Sequence, residues 1–305
     1  MPPILDYYRW APIDGGGVSE LPRTTHPDVD LNRPSAARVY DFFLGGAHNF
    51  RIDRDLAVQI ERMTPNIAET MRANRTFLRR AIQMLLNAGI RQFLDIGSGI
   101  PTVGNVHEIV EAAAADARTV YIDIDPVAVA HSEAILKGST SARVLRGDLC
   151  QPEDLLRAVR ELGFLDFDRP IAVVLAGVVH FVGDDEGPDR VTAVLRKAVV
   201  AGSYLVISHA TFEHQPPEVI EAQQLAASTG TPIVLRSKET ILGFFGGFEL
   251  VDPALVFITA WRPEAGPAGP AGPADPAEAN PAWIGAYGGV ARKPGPDRTR
   301  LRDPA

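Results

Sequence analysis

An acid and two closely spaced glycines follow a short apolar run in the segment FLDIGSGIPT, residues 93–102. Asp95 supplies a carboxylate, and Gly97 and Gly99 let the backbone approach a ligand without an intervening Cβ. In a strand–turn–helix unit, such a loop lies at the carboxyl edge of the sheet, where ligands bind. Three kinds of ligand fit this arrangement: a dinucleotide, a nucleotide phosphate, or a nucleoside cofactor without a phosphate.

The sequence disfavours both kinds of phosphate ligand. Thr102 stands where the dinucleotide fingerprint G-x-G-x-x-G requires its third glycine, and the Asp95 carboxylate would repel a pyrophosphate at the following helix N-terminus. The phosphate-loop motif G-x-x-x-x-G-K-[ST] is absent, and Ser98 does not fit a nucleophile elbow, because Ile96 occupies a required glycine position. An acid followed by spaced glycines instead favours a ligand with an ammonium group, such as S-adenosylmethionine.

Two further acids follow the next two predicted strands. Asp123 in VYIDIDP is placed to accept hydrogen bonds from both hydroxyls of a ribose, and Asp148 in VLRGDL from an adenine amino group. Their neighbours Ile124 and Leu149, with Ser98 of the glycine segment, are assigned to the same cofactor site. Each acid alone is equally typical of a strand-end turn or a helix cap. Acids in register at three successive strands, however, form an ordered constellation that predicts a cofactor site.

Two histidines follow later strands and are candidates for a general base. His180 stands in AGVVHFVGDD after the fourth predicted strand, and His209 ends SYLVISH. Methyl transfer needs such a base only where the acceptor has a proton to lose, as a phenol or an ammonium does. The alternative for each histidine is a strand-end residue that is hydrogen-bonded to backbone. The motif HExxH is absent and nothing else converges on His209 and His214, so no metal site is predicted.

The elements that must position these residues alternate between strand-like and helix-like segments. Five apolar strands are predicted in RQFLDIG, RTVYIDI, ARVLRGD, PIAVVLAG and SYLVISH, and a helix-like segment follows each of them. This alternation indicates a parallel sheet with both faces covered. Between FELVDPALVFITAW and IGAYGGVAR there is no helix, which predicts a closing antiparallel pair. The predicted fold class is therefore α/β, with a Rossmann-like, doubly wound sheet.

Helices are predicted before the sheet. RPSAARVYDFFLGG carries the start and stop signals of a short helix, and a second helix is predicted over 53–62. The third and longest is predicted to begin with Thr64 as its cap and Pro65 in its first turn, and to end with Gly89 at C′. The chain is divided into a flexible N-terminal segment at 1–33, a helical cap or lid at 34–90, a core at 91–293 with a Pro- and Gly-rich loop at 263–282, and a basic tail at 294–305.

Composition limits the classes of function. The formal net charge of -8 and the pI near 5.4 make nucleic-acid binding unlikely, since that needs a clustered basic surface. The single cysteine, Cys150, excludes an intramolecular disulfide and favours the reducing cytoplasm. No signal peptide is recognised at the start of the sequence, and no apolar stretch reaches the roughly 18 residues of a membrane span. A cytoplasmic location without membrane contact is predicted.

The motifs together resemble the class I S-adenosylmethionine-dependent methyltransferases, with Asp95, Gly97 and Gly99 as their first motif. More specifically, the chain resembles the actinobacterial S-adenosyl methyltransferase family, formerly a domain of unknown function. The stretches RPSAARVYDFFLGGAHNF, ANRTFLRRA, FLDIGSGIPT, VYIDIDP, HFV, GSYLVISH, GFELVDPALV and GGVARKP carry this resemblance over about residues 33–294. It implies a seven-stranded sheet with an antiparallel last strand. Pro101 departs from the wider superfamily, which often has a third glycine there.

The resemblance also bears on residues before the core. In this family the segment YDFFLGGAHNF precedes the core, so it is expected to fold over the cofactor, with Tyr40, Gly45 and Asn49 touching cofactor or acceptor. Arg75 on the long helix is predicted to pair with the cofactor's carboxylate, although a solvated helix face is an equal alternative.

We therefore predict a methyltransferase that converts S-adenosylmethionine to S-adenosylhomocysteine while methylating a small-molecule acceptor, in a setting such as secondary metabolism. The main alternative is a non-catalytic S-adenosylmethionine or S-adenosylhomocysteine binder that acts as a regulator or partner subunit. A nicotinamide-dependent oxidoreductase is a third reading, which Asp95 and Thr102 disfavour. The acceptor, the methylated atom type and the oligomeric state are left open by the sequence.

Overall fold

The structure of the protein is a computed structural model that describes residues 30, 32–101, 105–228, 233–263 and 281–295. The predictions for most of the N-terminal segment, for Thr102, for most of the Pro- and Gly-rich loop and for most of the basic tail fall outside these described residues.

A mixed sheet of eight strands forms the centre of the described structure, in the order β3-β2-β1-β4-β5-β8-β6, with β7 also paired to β8. The five predicted strands are parallel and adjacent. They are β1 Gln92–Ile96, β2 Arg118–Asp123, β3 Ala142–Arg146, β4 Ala172–Ala176 and β5 Tyr204–Ala210. Because the strand order reverses between β1 and β4, their carboxyl ends border the crevice in which doubly wound sheets bind ligands.

The last strands are antiparallel, as predicted, but their number differs from the expectation. β8, Ala286–Arg292, runs antiparallel to β5. The resemblance implied seven strands, whereas the segment before β8 forms two short ones, β6 Glu249–Leu250 and β7 Val256–Phe257. A turn in which the Ala254 N–H donates to the Val251 carbonyl separates them, and Pro253 within it has no N–H to donate to a neighbouring strand. The α/β, Rossmann-like fold class is confirmed.

Helices cover both faces of the sheet. Consecutive strand residues point to opposite faces, so Phe93 belongs to one buried cluster while Leu94 and Ile96 belong to the other. The cluster around Phe93 includes side chains of α3 and α4, and the opposite cluster includes those of α6 and α7. The helices after β1 are α4 Val106–Ala113, α5 Pro126–Ile135, α6 Pro152–Leu162, α7 Pro188–Ala198, α8 Pro217–Ser228 and α9 Lys238–Gly243.

Three helices precede the sheet, at α1 Ala36–Phe43, α2 Arg51–Met63 and α3 Ile67–Asn87. A small core of Val39, Phe43, Leu56 and Ala57 joins α1 to α2. The first two helices lie where they were predicted, within two residues at each end of the second. α1 to α3 and their connections are called the helical cap below.

The start of α3 differs from the prediction. Thr64 does not cap it, because the Thr64 N–H donates to the Ile60 carbonyl and thereby completes α2. A turn follows, in which the Ile67 N–H donates to the Thr64 carbonyl, and Asn66 occupies the N-cap position. Gly89 stands at C′ with a φ of +86°, as predicted.

The described residues were searched for membrane-spanning helices and for metal-binding groups of side chains. No described helix combines the length and the apolar composition that a membrane crossing requires. Among the same residues, no group of three or more His, Cys, Asp or Glu side chains is arranged to hold a metal ion.

Candidate active site

A cavity of about 510 Å³ lies at the carboxyl ends of β1 to β4, beneath the helical cap. We call it the cofactor cavity. Its lining contains all the predicted cofactor-site residues except Gly45 and Asn49. Those present are Tyr40, Arg75, Asp95, Gly97, Ser98, Gly99, Asp123, Ile124, Asp148 and Leu149. The sequence therefore predicted residues that the tertiary structure brings together around one space.

The two glycines after β1 have different structural roles. Both adopt the left-handed conformation, with φ +73° at Gly97 and +68° at Gly99. A Cβ at Gly97 would overlap the side chain of Val178, whereas a Cβ at Gly99 would meet no atom within 4 Å. The Gly99 N–H donates to Oδ2 of Asp123 at 2.7 Å. Gly97 thus allows close packing of the loop, and Gly99 leaves room for a ligand.

Asp123 is held by backbone donors at the end of β2. Its Oδ2 accepts from Gly99, and its Oδ1 accepts from the Asp125 N–H at 2.9 Å. Burial raises the pKa of Asp123 to about 6, although these N–H donors oppose the shift. Because each carboxylate oxygen can accept two hydrogen bonds, both oxygens keep an acceptor position for ribose hydroxyls.

Asp95 is buried within β1, one strand away from Asp123. Burial raises the pKa of Asp95 to about 7, the charge of Arg75 opposes this, and the charge of Asp123 adds to it. Arg75 lies half-buried in the cavity lining, and its Nη2 donates to Oδ1 of Asn105 at 3.2 Å. It is therefore not on a solvated helix face, which was the alternative interpretation of this residue.

This donor set fits S-adenosylmethionine. Burial raises the pKa of both Asp95 and Asp123, so their ionised forms would be stabilised by an ammonium group and by ribose hydroxyls. The Ser98 hydroxyl is buried and has no hydrogen-bond partner among the described residues. The cavity volume also lies within the roughly 300–1,000 Å³ typical of small-molecule sites.

Gly45 and Asn49 lie in the turn between α1 and α2, outside the lining of the cofactor cavity. Gly45 ends α1 with a φ of +79°. The Asn49 side-chain amide donates to Oδ2 of Asp41 at 2.8 Å and to the Gly46 carbonyl at 2.9 Å. The structure therefore places both residues where they shape the cap, and we do not retain them as ligand contacts.

Buried charges attach the helical cap to the loop after β2. Arg38 on α1 contacts Asp53 at 2.8 Å through Nε, and contacts Asp125 at 3.6 Å through Nη1. The Ser35 hydroxyl also donates to Asp125. Asp125 caps α5 by accepting from the Val127 N–H at 2.7 Å. These contacts account for the motif RPSAARVYDF and fix one wall of the cofactor cavity.

A second, smaller cavity of about 160 Å³ adjoins the first, and we call it the inner cavity. The two cavities share the lining residues Ala36, Tyr40, Asn74, Gly177 and Phe181. Both predicted catalytic histidines line the inner cavity, with ring centroids 5.6 Å apart.

His180 lies in a 3-10 turn, Val179–Phe181, that follows β4. Its Nδ1 is buried and has no hydrogen-bond partner among the described residues. Burial lowers the pKa of His180 well below 6.5, and the neighbouring His209 and Arg236 lower it further. His180 is therefore neutral near pH 7, and its imidazole is available to accept a proton.

His209 differs from His180 in its hydrogen bonds. Its Nδ1 lies 2.7 Å from the Ala210 carbonyl, so we assign the ring proton to Nδ1, and Nε2 then accepts from Nη1 of Arg236 at 3.1 Å. Burial lowers the pKa of His209 to about 4. Because both ring nitrogens are already used, His209 matches the alternative interpretation of a strand-end residue bonded to backbone and is a poor candidate for a base.

Sequence reasoning missed Asn74, which stands in the wall between the cavities. Its Oδ1 accepts from the Ser208 hydroxyl at 2.6 Å, and its Nδ2 donates to Oη of Tyr40 at 3.2 Å. The Tyr40 hydroxyl in turn donates to the Met71 carbonyl at 3.1 Å. A signal was present, because Asn74 is a polar residue three positions after Met71 and four before Leu78 in the apolar stripe of α3.

The chain is similar to a known protein family and to solved structures. Residues 22–294 match the model of a family described as S-adenosyl methyltransferase. A solved structure from Thermobifida fusca YX, described provisionally as a methyltransferase, is 35% identical, with a TM-score of 0.80 and with 89% of this chain and 100% of that chain covered. A DUF574 family protein from Streptomyces avermitilis MA-4680 is 35% identical, with a TM-score of 0.78 over 87% of this chain and 99% of that chain. No curated protein matches the chain.

The match to the family model extends from before the helical cap to the end of β8, and therefore includes every residue of the two cavities described above. This family match agrees with three features of the cofactor cavity: its carboxylates, its glycine turn and its size. The chain belongs to the S-adenosyl methyltransferase family, and its cofactor is S-adenosylmethionine.

Proposed function

We propose that this protein transfers the methyl group of S-adenosylmethionine to a small-molecule acceptor bound in the inner cavity. One observation carries the proposal: the inner cavity shares a wall with the cofactor cavity, and a neutral histidine lines it. An acceptor in the inner cavity would therefore lie next to the cofactor and within reach of a base. A location in the cytoplasm and a role in secondary metabolism stay predictions.

The cofactor cavity supports one orientation of the ligand. Asp95 and the turn at Gly97 and Gly99 would hold the methionine end, with Arg75 on its carboxylate. Asp123 would accept from the ribose hydroxyls. Asp148 would accept from the adenine amino group between Ile124 and Leu149; the Ile124 side chain is 59% exposed and offers the base an apolar surface.

The chain's own contribution to the reaction is positioning and proton transfer. Bound S-adenosylmethionine supplies a methyl group on a positively charged sulfur. The shared wall would hold the acceptor close to that methyl group, which removes much of the entropic cost of bringing two molecules together. His180 would take the acceptor's proton as the methyl group is transferred, and general-base assistance of this kind contributes roughly 10²–10⁴-fold to a rate.

The test measures S-adenosylhomocysteine formation and cofactor binding on the same samples. The wild-type protein and His180→Ala are incubated with S-adenosylmethionine and a library of small acceptors, and the melting temperature is recorded with S-adenosylhomocysteine. We expect acceptor-dependent turnover that His180→Ala lowers by roughly 10²-fold or more while cofactor binding is unchanged. Binding without turnover on any acceptor would support the non-catalytic alternative.

A further inference from the structure

The inner cavity has no formally charged side chain in its described lining. None of the described residues that line it is an Asp, Glu, Lys or Arg. Burial keeps its titratable groups neutral, since it lowers the pKa of His180 and His209 and raises that of Tyr40. A charged molecule would lose its hydration in this space, and the described lining offers it no counter-ion. The lining therefore favours an uncharged acceptor.

Arg236 lies behind His209 and does not change this conclusion. Its Nη2 donates to Oδ1 of Asp184 at 2.7 Å and to the Val182 carbonyl at 2.8 Å, while Nη1 donates to His209. Arg236 is 5% exposed and is not a lining residue of the inner cavity. Its guanidinium is already paired with a carboxylate, so it is not available to an anionic acceptor.

The volume of the inner cavity suits an acceptor of about one ring. Its volume of about 160 Å³ is less than a third of the 510 Å³ of the cofactor cavity. An apolar cavity of about 150 Å³ in another protein holds one benzene molecule. Apolar side chains such as Val39, Leu56 and Met71 line the space, so a flat apolar ring suits it.

His180 offers a place in the lining for a polar group of the acceptor. Ser208, Asn74 and Tyr40 already satisfy one another in a chain of hydrogen bonds that ends on the Met71 carbonyl. His180, by contrast, has a buried ring nitrogen without a partner among the described residues. An acceptor with a single hydroxyl directed at His180 would complete this arrangement.

We propose that the acceptor is an uncharged, ring-sized phenol that is methylated on its hydroxyl oxygen. This inference rests on the proposed function. Aliphatic amines and carboxylic acids are ionised near pH 7, whereas a phenol, with a pKa of about 10, enters uncharged and still has a proton to lose. The phenol oxygen forms a bond to the methyl carbon, and the carbon–sulfur bond breaks with its electron pair staying on sulfur. The hydroxyl proton passes to His180, so the positive charge moves from sulfur to the imidazole.

The experiment compares three para-substituted phenols that differ in charge: p-cresol, 4-hydroxybenzoate and tyramine. Their dissociation constants are measured by calorimetry on the full chain saturated with S-adenosylhomocysteine. We expect p-cresol to bind on the order of tenfold or more tightly than either charged probe, because only the charged probes pay an uncompensated desolvation cost. With S-adenosylmethionine in place of the product, p-cresol should yield 4-methylanisole.

A matched pair of variants locates the binding. Ala210 lines the inner cavity, so Ala210→Leu should weaken p-cresol binding while S-adenosylhomocysteine still binds. Ala112→Leu, on the exposed face of α4, should leave both affinities unchanged. Equal affinity for a charged probe, no binding of p-cresol, or binding without 4-methylanisole would overturn the phenol proposal. Failure of S-adenosylhomocysteine itself to bind would instead overturn the proposed function.

Discussion

The two cavities of this protein adjoin each other but are built differently. The cofactor cavity is lined by carboxylates and two guanidinium groups, and its predicted acids and glycines lie at the carboxyl ends of β1 and β2 or in the loops that directly follow β1 and β3. The inner cavity has an uncharged lining, which α1, α2, α3, β5 and residues near β8 supply from distant parts of the sequence. In the proposed function, charged side chains would bind the cofactor, whereas the size of the inner cavity and its uncharged lining would select the acceptor.

The same contrast appears in the protonation of the two cavities. Burial raises the pKa of Asp95 and Asp123 in the cofactor cavity, and it lowers that of His180 and His209 in the inner cavity. In both places burial disfavours the charged form. A cationic cofactor can compensate the carboxylates, whereas the histidines remain neutral, and only His180 has an unpartnered ring nitrogen that could receive a proton.

The largest expected effect is a difference in stability between variants of Gly97 and Gly99, the two glycines in the turn after β1. Gly97→Ala would place a Cβ against Val178, and overpacking together with a left-handed φ should lower the free energy of unfolding by about 3 kcal/mol. Gly99→Ala is the matched control: it shares the φ strain, so about 1 kcal/mol is expected, but its Cβ enters open space and should mainly weaken cofactor binding. Urea titrations of both variants measure their free energies of unfolding. Equal loss of stability would contradict the packing role of Gly97.

A smaller effect is expected at the predicted ribose site. Asp123→Asn keeps one oxygen acceptor but removes the charge, so cofactor affinity should fall by roughly 10–100-fold, the equivalent of about 1.5–3 kcal/mol for a hydrogen bond to a charged group. The dissociation constant of S-adenosylhomocysteine, measured by calorimetry, tests this. p-Cresol binding to the inner cavity should change little, and a parallel loss of both affinities would show that the cavities are not independent.

The pH dependence of cofactor binding tests whether charge contributes to affinity in the cofactor cavity. In the proposed orientation the ionised form of Asp95 would bind the cofactor's ammonium group, so with the pKa of Asp95 at about 7 the dissociation constant should rise roughly tenfold between about pH 7.5 and pH 6. Calorimetry on the wild-type protein and on Asp95→Asn measures this. The variant should bind weakly at every pH and lose this part of the pH dependence.

The stability of the ligand-free protein should change with pH in the opposite sense. Folded Asp95 keeps its proton up to about pH 7 while the unfolded chain releases it near pH 4, so this group lowers the free energy of unfolding as pH rises through that window. Asp95→Asn lacks the penalty and should melt a few degrees higher than wild type at about pH 8, with little difference at about pH 4. A variant that melts lower at pH 8 would contradict the raised pKa.

The smallest effect concerns the shared wall. Ser208→Ala removes the donor to Oδ1 of Asn74 and should lower the free energy of unfolding by about 1–2 kcal/mol, because a buried acceptor is left unsatisfied. Thermal unfolding measures the change in stability. Ser208→Ala should also weaken the binding of ligands in both cavities slightly, since Asn74 lines both of them.

Much of the cofactor cavity could be predicted from local sequence. Its residues lie directly after strands that are recognisable as apolar runs, and parallel strands bring their carboxyl ends to one edge of the sheet. Asp95, Asp123 and Asp148 line the same cavity for this reason, and their roles toward the cofactor stay predictions. Gly45 and Asn49 were assigned from resemblance alone, and the structure places them in a turn where Asn49 holds Asp41.

The inner cavity could not be predicted in the same way. Asn74 and Ser208 are separated by 134 positions, and they meet only because α3 packs against the sheet beside β5. The difference between His180 and His209 likewise depends on Arg236, which comes 27 positions after His209 and occupies its Nε2. Neither contact has a local signature in the chain.

By itself, the sequence determined the Rossmann-like fold class and most of the predicted residues that meet around the cofactor cavity, because both depend on local periodicity and on residues next to strand ends. It also determined that the chain carries the acids and glycines of an S-adenosylmethionine site. Only the tertiary structure decided which histidine is left with an unpartnered nitrogen, how large the inner cavity is, and that no charge lines it in the described residues. Those properties arise from the packing of side chains that are distant in sequence, and burial among them sets each group's protonation.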